Sequence, residues 1–321
     1  RAVHEMTVAA KAVIAGFHGR KTHRSLFVSC STGGRQGLME AWRYPRDYDG
    51  ISSMAPANPM TALMVSSLWT GHAALKDDAS RIPPSKFAAI HKAAVAACDE
   101  DDGVTDGVIS SPPRCRFDPA AMLCKGADAS DCLTEQQVAA VRAIYEGPRN
   151  ARGEQIHPGF SAGSEMQWSL QTMGPEPVGA ATTYMKSVVF RDPKRDFKSF
   201  DYDRDFSRAI ATGSRQLDVP PKGFERFFRD GRKLLLTHGW ADGLIPAAAT
   251  VGFYRELTRK PTENARLFMI PGMAHCAGGS GPWMFDAIAT IDAWVQTGRA
   301  PERIVVSNPP KAPPRTRPLC P

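Results

Sequence analysis

The chain has 321 residues, 42% hydrophobic and 23% charged, a balance that supports one large domain or a core carrying an inserted module. It contains no apolar run of about 18 residues or more, so no membrane-spanning helix is expected. The formal charge of +7 comes from Lys and Arg scattered among Asp and Glu, not gathered in a stripe; it reads as a basic solvated surface, and nucleic acid is not an expected partner.

In chain order, Ala2 to Phe17 reads as a helix ending at Gly19, with no strand before it. Parallel sheets rarely begin that way, so earlier strands are expected outside these residues. Ser25 to Ser29 is short, apolar and β-prone, and is expected as a buried strand. A Gly-containing turn follows, then a helix from Arg35 to Tyr44 stopped by Pro45, then a strand from Gly50 to Met54. Together these make a βαβ unit of a parallel sheet. The pattern returns late, with a strand at Lys233–His238, a helix at Ala247–Arg259 and a strand at Arg266–Ile270. Trp283 to Thr297 reads as a closing helix with Gly298 as its C-cap, and the proline-rich tail from Pro309 to Pro318 as extended chain.

Between these halves the character changes. Helices are expected at Ser85–Ala97 and at Thr134–Tyr145, where Thr134 and Gln137 form a capping box. The rest is rich in Pro, Gly and Asp. The division that follows is 1–57 for the first part of an α/β core, 58–220 for an inserted module and 221–321 for the second part of the core.

The seven cysteines form no Cys-x-x-Cys pair, which argues against a zinc ribbon or a thioredoxin-like site. Cys98 with Cys115, and Cys124 with Cys132, are close in sequence and flank loops that disulfides could close, so an oxidising compartment is expected: secreted or periplasmic. The odd count leaves one cysteine over, and Cys320 near the end is the obvious one.

Ser31 lies in Ser29-Cys30-Ser31-Thr32-Gly33-Gly34, after a strand and before a helix. A nucleophile elbow needs that context, because a tight strained turn must lift the hydroxyl clear of the sheet. Ser29 stands where the first glycine of G-x-S-x-G would be. An ordinary βα turn or a phosphate-binding glycine loop are the alternatives. Asp242 follows one strand and His275 the next, so Ser, Asp and His occur in α/β-hydrolase order at the carboxyl ends of strands. In these roles His275 accepts the Ser31 proton, Asp242 fixes the imidazole tautomer, and the Thr32 backbone N–H is the first oxyanion donor. The second donor is expected from a loop after an earlier strand, outside these residues. Cys30 precedes Ser31 and Cys276 follows His275, so a formed triad would bring these cysteines together to bond. Two unrelated buried thiols, or Cys30 as the nucleophile itself, are the other readings.

The words Cys30-Ser31-Thr32-Gly33-Gly34-Arg35-Gln36, His238-Gly239-Trp240-Ala241-Asp242 and Pro271-Gly272-Met273-Ala274-His275-Cys276 together resemble the tannase and feruloyl esterase family, including its MHETase-like members. The resemblance runs along nearly the whole chain. It implies an α/β-hydrolase core with a large inserted lid, and serine-dependent cleavage of small esters of aromatic acids with no organic cofactor. An inactive relative that binds an aromatic ligand, and a serine peptidase or acyltransferase, are the competing readings. Spacing alone leaves the Asp99 to Val108 loop open between a metal-free Asp-Gly turn and a calcium site. The resemblance implies structural Ca2+ bound by the side chains of Asp99, Asp102 and Asp106 and the carbonyls of Val104 and Val108. The aromatic residues Phe160, Trp168, Tyr184 and Phe190 are read first as lid core, and as stacking partners for an aryl acid only second.

Overall fold

The computed structural model describes residues 1–321. Helix α1 (Ala2–His18) ends on Gly19 in the left-handed conformation, as its sequence predicts. Strand β1 (Leu26–Cys30), helix α2 (Thr32–Arg43) and strand β2 (Gly50–Met54) form the first βαβ unit. Strand β3 (Lys233–Gly239), helix α10 (Ala247–Leu257) and strand β4 (Ala265–Ile270) form the second. The four strands are parallel in the order β1-β2-β3-β4, with Leu26 opposite Gly50, Gly50 opposite Lys233 and Leu234 opposite Ala265. The chain belongs to the α/β-hydrolase fold class.

Alternation along the central strands accounts for the two covered faces. Leu234 and Leu236 on β3 and Leu267 on β4 join Leu38 of α2 and Phe253 of α10 in one cluster, extended by Val219, Phe224 and Phe227 around helix α9 (Glu225–Arg229). Leu235, Phe268 and Ile270 point the other way, against Ile291 and Trp294 of helix α11 (Ala287–Thr297). The same face takes Ile304, Val306 and Leu319 from the antiparallel pair β5 (Ile304–Ser307) and β6 (Thr316–Leu319).

Most boundaries shift by one or two residues, and three readings change by more. Helix α2 begins at Thr32, not Arg35, because the chain enters it straight from the elbow. Helix α11 begins at Ala287, not Trp283, because the Asp286 side chain accepts the Ala289 N–H and fixes the start there. The end of the tail is not free extended chain: Thr316 to Leu319 pairs with β5.

The segment between β2 and β3 is built around a hydrophobic cluster of 25 buried residues apart from those on the sheet faces, all but Ile245 coming from the segment itself. Its central helix is α3 (Met60–Leu75), which packs against α5 (Glu135–Glu146), the short helices α6 (Ser169–Thr172) and α7 (Gly179–Thr183), and α8 (Arg204–Leu217). Helix α4 (Pro84–Cys98) lies beside a turn at Glu165–Gln167. The capping box of α5 forms as predicted, with Gln137 N–H donating to Thr134 Oγ1 and Thr134 N–H to Gln137 Oε1. Phe160, Trp168 and Tyr184 are buried in this cluster, and Phe190 packs on it under the guanidiniums of Arg195 and Arg208. At the junction with the sheet, the Asn58 side chain donates to Val219 O at 3.0 Å and accepts from Val219 N–H at 2.8 Å. No helix is long and apolar enough to cross a membrane.

Candidate active site

Ser31 sits between β1 and α2 with φ 64°, a left-handed conformation that a residue with a side chain rarely adopts. The β1–β2 ladder runs up to the turn, with Ser31 N–H donating to Met54 O at 2.9 Å, and Arg35 N–H donates back to Ser31 O at 3.0 Å. A Cβ on residue 33 would lie 1.9 Å from Ser29 Oγ, and one on residue 34 would lie 2.5 Å from Met54 O. Both positions therefore need glycine. Ser29, which departs from the usual elbow glycine, sits over Gly33 and leaves no space for a side chain there. Thr32 is the first residue of α2, where a backbone N–H has no acceptor within the helix and is free for an anion.

From this turn Ser31 Oγ lies 3.0 Å from His275 Nε2, the geometry in which the hydroxyl donates to the imidazole. His275 Nδ1 lies 2.7 Å from Asp242 Oδ2. Asp242 is 1% exposed, and its other oxygen accepts the backbone N–H groups of Leu244 at 2.8 Å and Ile245 at 2.9 Å. Burial alone pushes this carboxyl up, but the hydrogen bonds it accepts from His238 and His275 outweigh it and hold the group down at about 2. It is therefore a carboxylate at neutral pH, suited to stabilise an imidazolium at His275.

His238 is a site residue that the sequence reading did not single out. It is wholly buried, with Nε2 at 3.1 Å from Asp242 Oδ2 and 3.2 Å from Ile245 O. Two acceptors at Nε2 place the proton on that nitrogen, and Nδ1 then accepts from Thr250 Oγ1–H at 2.7 Å. Its signal was present, since His238 opens the word that ends in Asp242, but it was read as strand.

Cys30 and Cys276 are disulfide-bonded across 246 positions, with Cα atoms 6.0 Å apart. Cys276 has φ 63°, so both residues of the Cys30-Ser31 and His275-Cys276 words that carry strained backbone lie at this link. Cys98–Cys115 and Cys124–Cys132 are also bonded, and Cys320 is an exposed free thiol.

In the acidic loop, Asp99 caps its own turn. It accepts the backbone N–H groups of Asp106, Gly107 and Val108 at 3.2, 2.9 and 3.1 Å. Asp102 accepts from Val104 N–H at 3.0 Å, and Asp106 is paired with Arg315 and Arg317. Three carboxylates and two carbonyls would make an all-oxygen donor set of the kind a hard divalent cation takes, but the three carboxylates do not converge within 4.8 Å of one another here. The two guanidiniums already neutralise Asp106, so an ion there would share or displace them. A different trio, His4, Glu40 and Asp47, does converge within 4.8 Å. There His4 Nδ1 meets Asp47 Oδ2 at 2.6 Å, a direct hydrogen bond too short for two ligands flanking one ion. Burial and the neighbouring Asp47 push Glu40 up to about 7.

A groove of about 650 Å³ lined by Trp42, His157, Asp218 and Phe253 contains none of Ser31, Asp242 and His275. The chemistry belongs to the hydrogen-bonded chain and not to that groove. A nucleophile, a base and a buried acid in this geometry can perform acyl transfer.

The family model described as tannase and feruloyl esterase matches residues 1–321. Mono(2-hydroxyethyl) terephthalate hydrolase of Piscinibacter sakaiensis is 32% identical, over 99% of this chain and 63% of that protein. An uncharacterized esterase of Xanthomonas campestris pv. campestris is also 32% identical, over 97% of this chain and 63% of its own length. The chain thus spans a little under two thirds of these relatives. Among solved structures, feruloyl esterase B from Aspergillus oryzae superposes with a TM-score of 0.91 at 26% identity, covering 100% of this chain and 69% of that one. Tannin acyl hydrolase from Aspergillus niger superposes with a TM-score of 0.83 at 20% identity, covering 100% of this chain and 66% of that one, a likeness of fold.

Proposed function

Since the chain belongs to the tannase and feruloyl esterase family, we propose that it is a serine carboxylic-ester hydrolase acting on esters of aromatic acids. What carries the reading is the unbroken chain from Ser31 Oγ through His275 to buried Asp242. Ser31 Oγ attacks the ester carbonyl while His275 Nε2 takes its proton. The oxyanion that forms is met by the Thr32 backbone N–H. Collapse expels the alcohol, which His275 protonates, and leaves the aromatic acyl group on Ser31. Water then attacks the acyl-enzyme with His275 as base, and the free acid leaves. Asp242 stays ionised throughout and stabilises each imidazolium. The substrate class is supported by relatives named for feruloyl and terephthalate esters.

The segment 58–220 serves as the lid over this site, supported by its own hydrophobic cluster between β2 and β3. Ca2+ bound by Asp99, Asp102 and Asp106 and by the carbonyls of Val104 and Val108 would fix that lid and take no part in the chemistry. Support comes from the oxygen donor set and from the Cys98–Cys115 bond that closes the same loop. Three disulfides support export to an oxidising compartment, secreted or periplasmic.

The test is turnover of methyl ferulate, methyl gallate, mono(2-hydroxyethyl) terephthalate and p-nitrophenyl acetate by wild type and Ser31→Ala with calcium present. Turnover of an aryl ester that vanishes in Ser31→Ala supports the reading, and the preferred ester names the acid. Turnover that survives in Ser31→Ala contradicts it.

A further inference from the structure

One side chain outside the sheet holds both the acid loop and the base loop. Gln167 closes the Glu165–Gln167 turn that precedes the fully buried Trp168. Its Oε1 accepts the backbone N–H of Gly243, the residue after Asp242, at 3.0 Å, and the backbone N–H of His275 itself, also at 3.0 Å. A carbonyl oxygen has two lone pairs, and both are used here. One turn further along, Gln171 Nε2 donates to Leu244 O at 3.3 Å, adding a second hold on the acid loop. The approach is close: a Cβ on residue 243 would stand 2.6 Å from Gln167 Cβ.

The turn that presents Gln167 is itself fixed. Gln167 N–H donates to Ser164 O at 3.0 Å and Trp168 Nε1–H to Ser164 Oγ at 3.0 Å. Glu165 is wholly buried and accepts from Tyr145 Oη at 2.6 Å and from Gly163 N–H at 2.8 Å, with His91 Nδ1 at 2.8 Å. By contrast, Asp242 and His275 stand on separate loops after adjacent strands, 33 residues apart. Their 2.7 Å contact depends on how those two loops are set against each other. One oxygen bonded to both loops ties that setting to the rigid turn.

We propose that Gln167 is a positioning residue, whose Oε1 sets the Asp242 and His275 loops at the separation proton transfer needs. The helical segment thereby acts on the reaction without touching the ester bond. This rests on the serine-hydrolase reading above.

The experiment compares wild type, Gln167→Met, Gln167→Glu and Ser31→Ala. It reads kcat and KM on an aryl ester, the rate of inactivation by an aryl phosphonate, and the melting temperature. Met keeps the length and loses the acceptor; Glu keeps an acceptor oxygen. A displacement of about 1 Å at a catalytic group costs on the order of 100-fold, so Gln167→Met is expected to lower kcat and the phosphonate rate together by about 10- to 100-fold. KM should stay within about threefold, the mark of an interaction that serves the transition state. Gln167→Glu should recover kcat to within about fivefold of wild type, since it restores the two accepted bonds. Wild-type kcat in Gln167→Met, a loss confined to KM, or a Glu variant no better than Met would overturn the proposal. If Gln167→Met unfolds, Gly243→Ala, which presses on Gln167 Cβ, must show the kcat loss at a wild-type melting temperature, or the proposal fails. Turnover surviving in Ser31→Ala would instead sink the serine reading, and this proposal with it.

Discussion

Asp242 and Asp99 use the same local device in two settings. Each folds its own loop by accepting successive backbone N–H groups: Leu244 and Ile245 for Asp242, and Asp106, Gly107 and Val108 for Asp99. Each loop also stands beside a disulfide, Cys30–Cys276 or Cys98–Cys115. What differs is the support and the counter-charge. The Asp242 loop hangs from β3, whose leucines are wholly buried on both faces, and its free oxygen meets two histidines. The Asp99 loop hangs from the end of α4 and a single 3-10 turn, and its nearby Asp106 meets two arginines from the chain's last residues. A carboxylate orders a loop in either place. Facing imidazole from a buried sheet it is placed to support proton transfer; in the acidic loop its neighbour Asp106 is instead neutralised by arginines, one of them in strand β6.

The sharpest way to break this comparison is to remove the charge in each place. Asp242→Asn should lower kcat by about 10⁴-fold with the fold retained, as loss of the tautomer-fixing acid does in triads. Asp99→Asn should leave kcat within about tenfold of wild type and lower the melting temperature instead. Steady-state kinetics beside thermal melts checks both; a kcat loss for Asp99→Asn matching that of Asp242→Asn would erase the distinction.

The two disulfides should differ next. Chain entropy assigns about 5 kcal/mol to a link closing some 246 residues and about 3 kcal/mol to one closing some 17. Urea unfolding of the Cys30→Ser/Cys276→Ser and Cys98→Ser/Cys115→Ser double variants gives both values. Only the first pair is expected to lower kcat as well, because it alone joins the residues flanking Ser31 and His275.

Calcium should act on one region only. At about 100 times its Kd an ion adds about 2.7 kcal/mol of stability. That is a rise of roughly 4 °C in melting temperature for a chain of 321 residues, at about 2.1 cal/mol/K of unfolding entropy per residue. EDTA should reverse it, Asp102→Ala should abolish it, and kcat per folded molecule should not move. A calcium response that persists in Asp102→Ala would remove the loop from the account.

The smallest effect lies in pH. The Asp242 carboxyl is held at about 2 against an ordinary 3.8, so its contribution to stability, of order 2 kcal/mol, is present above about pH 4. It is lost as pH falls from there through 2. The stability advantage of wild type over Asp242→Asn should therefore shrink across that window and stay constant above it, as urea midpoints measured from pH 6 to pH 2 would register.

The same contrast explains what could be read in the sequence. Strands β2 to β4 were legible within a residue or two because short β-branched and leucine runs bounded by turns have few other readings. The Ser31, Asp242 and His275 words follow those strands, so their place was legible with them. Helix α3 was not, because twelve of its residues are buried around most of its circumference and no polar face marks a helical period. Helix α8 was missed although its polar and apolar faces are distinct, since it lies among Pro, Gly and Asp turns that were read as loop. Gln167 was missed for another reason: its role is made by contacts across 76 and 108 positions that no local pattern carries, whereas His238 lies only 4 positions from Asp242 and was hidden by its place in the strand. Spacing likewise did not show that Arg315 and Arg317 return to Asp106 from more than 200 positions away.

The most direct test of the central claim is to trap the acyl-enzyme. Rapid-quench mixing with a p-nitrophenyl ester of an aromatic acid, followed by peptide mass mapping, reads where the acyl group resides. The account predicts a transient mass gain of one aroyl group on the peptide containing Ser31, absent in Ser31→Ala. Turnover without any adduct at Ser31, or an adduct on another residue that survives Ser31→Ala, would contradict it.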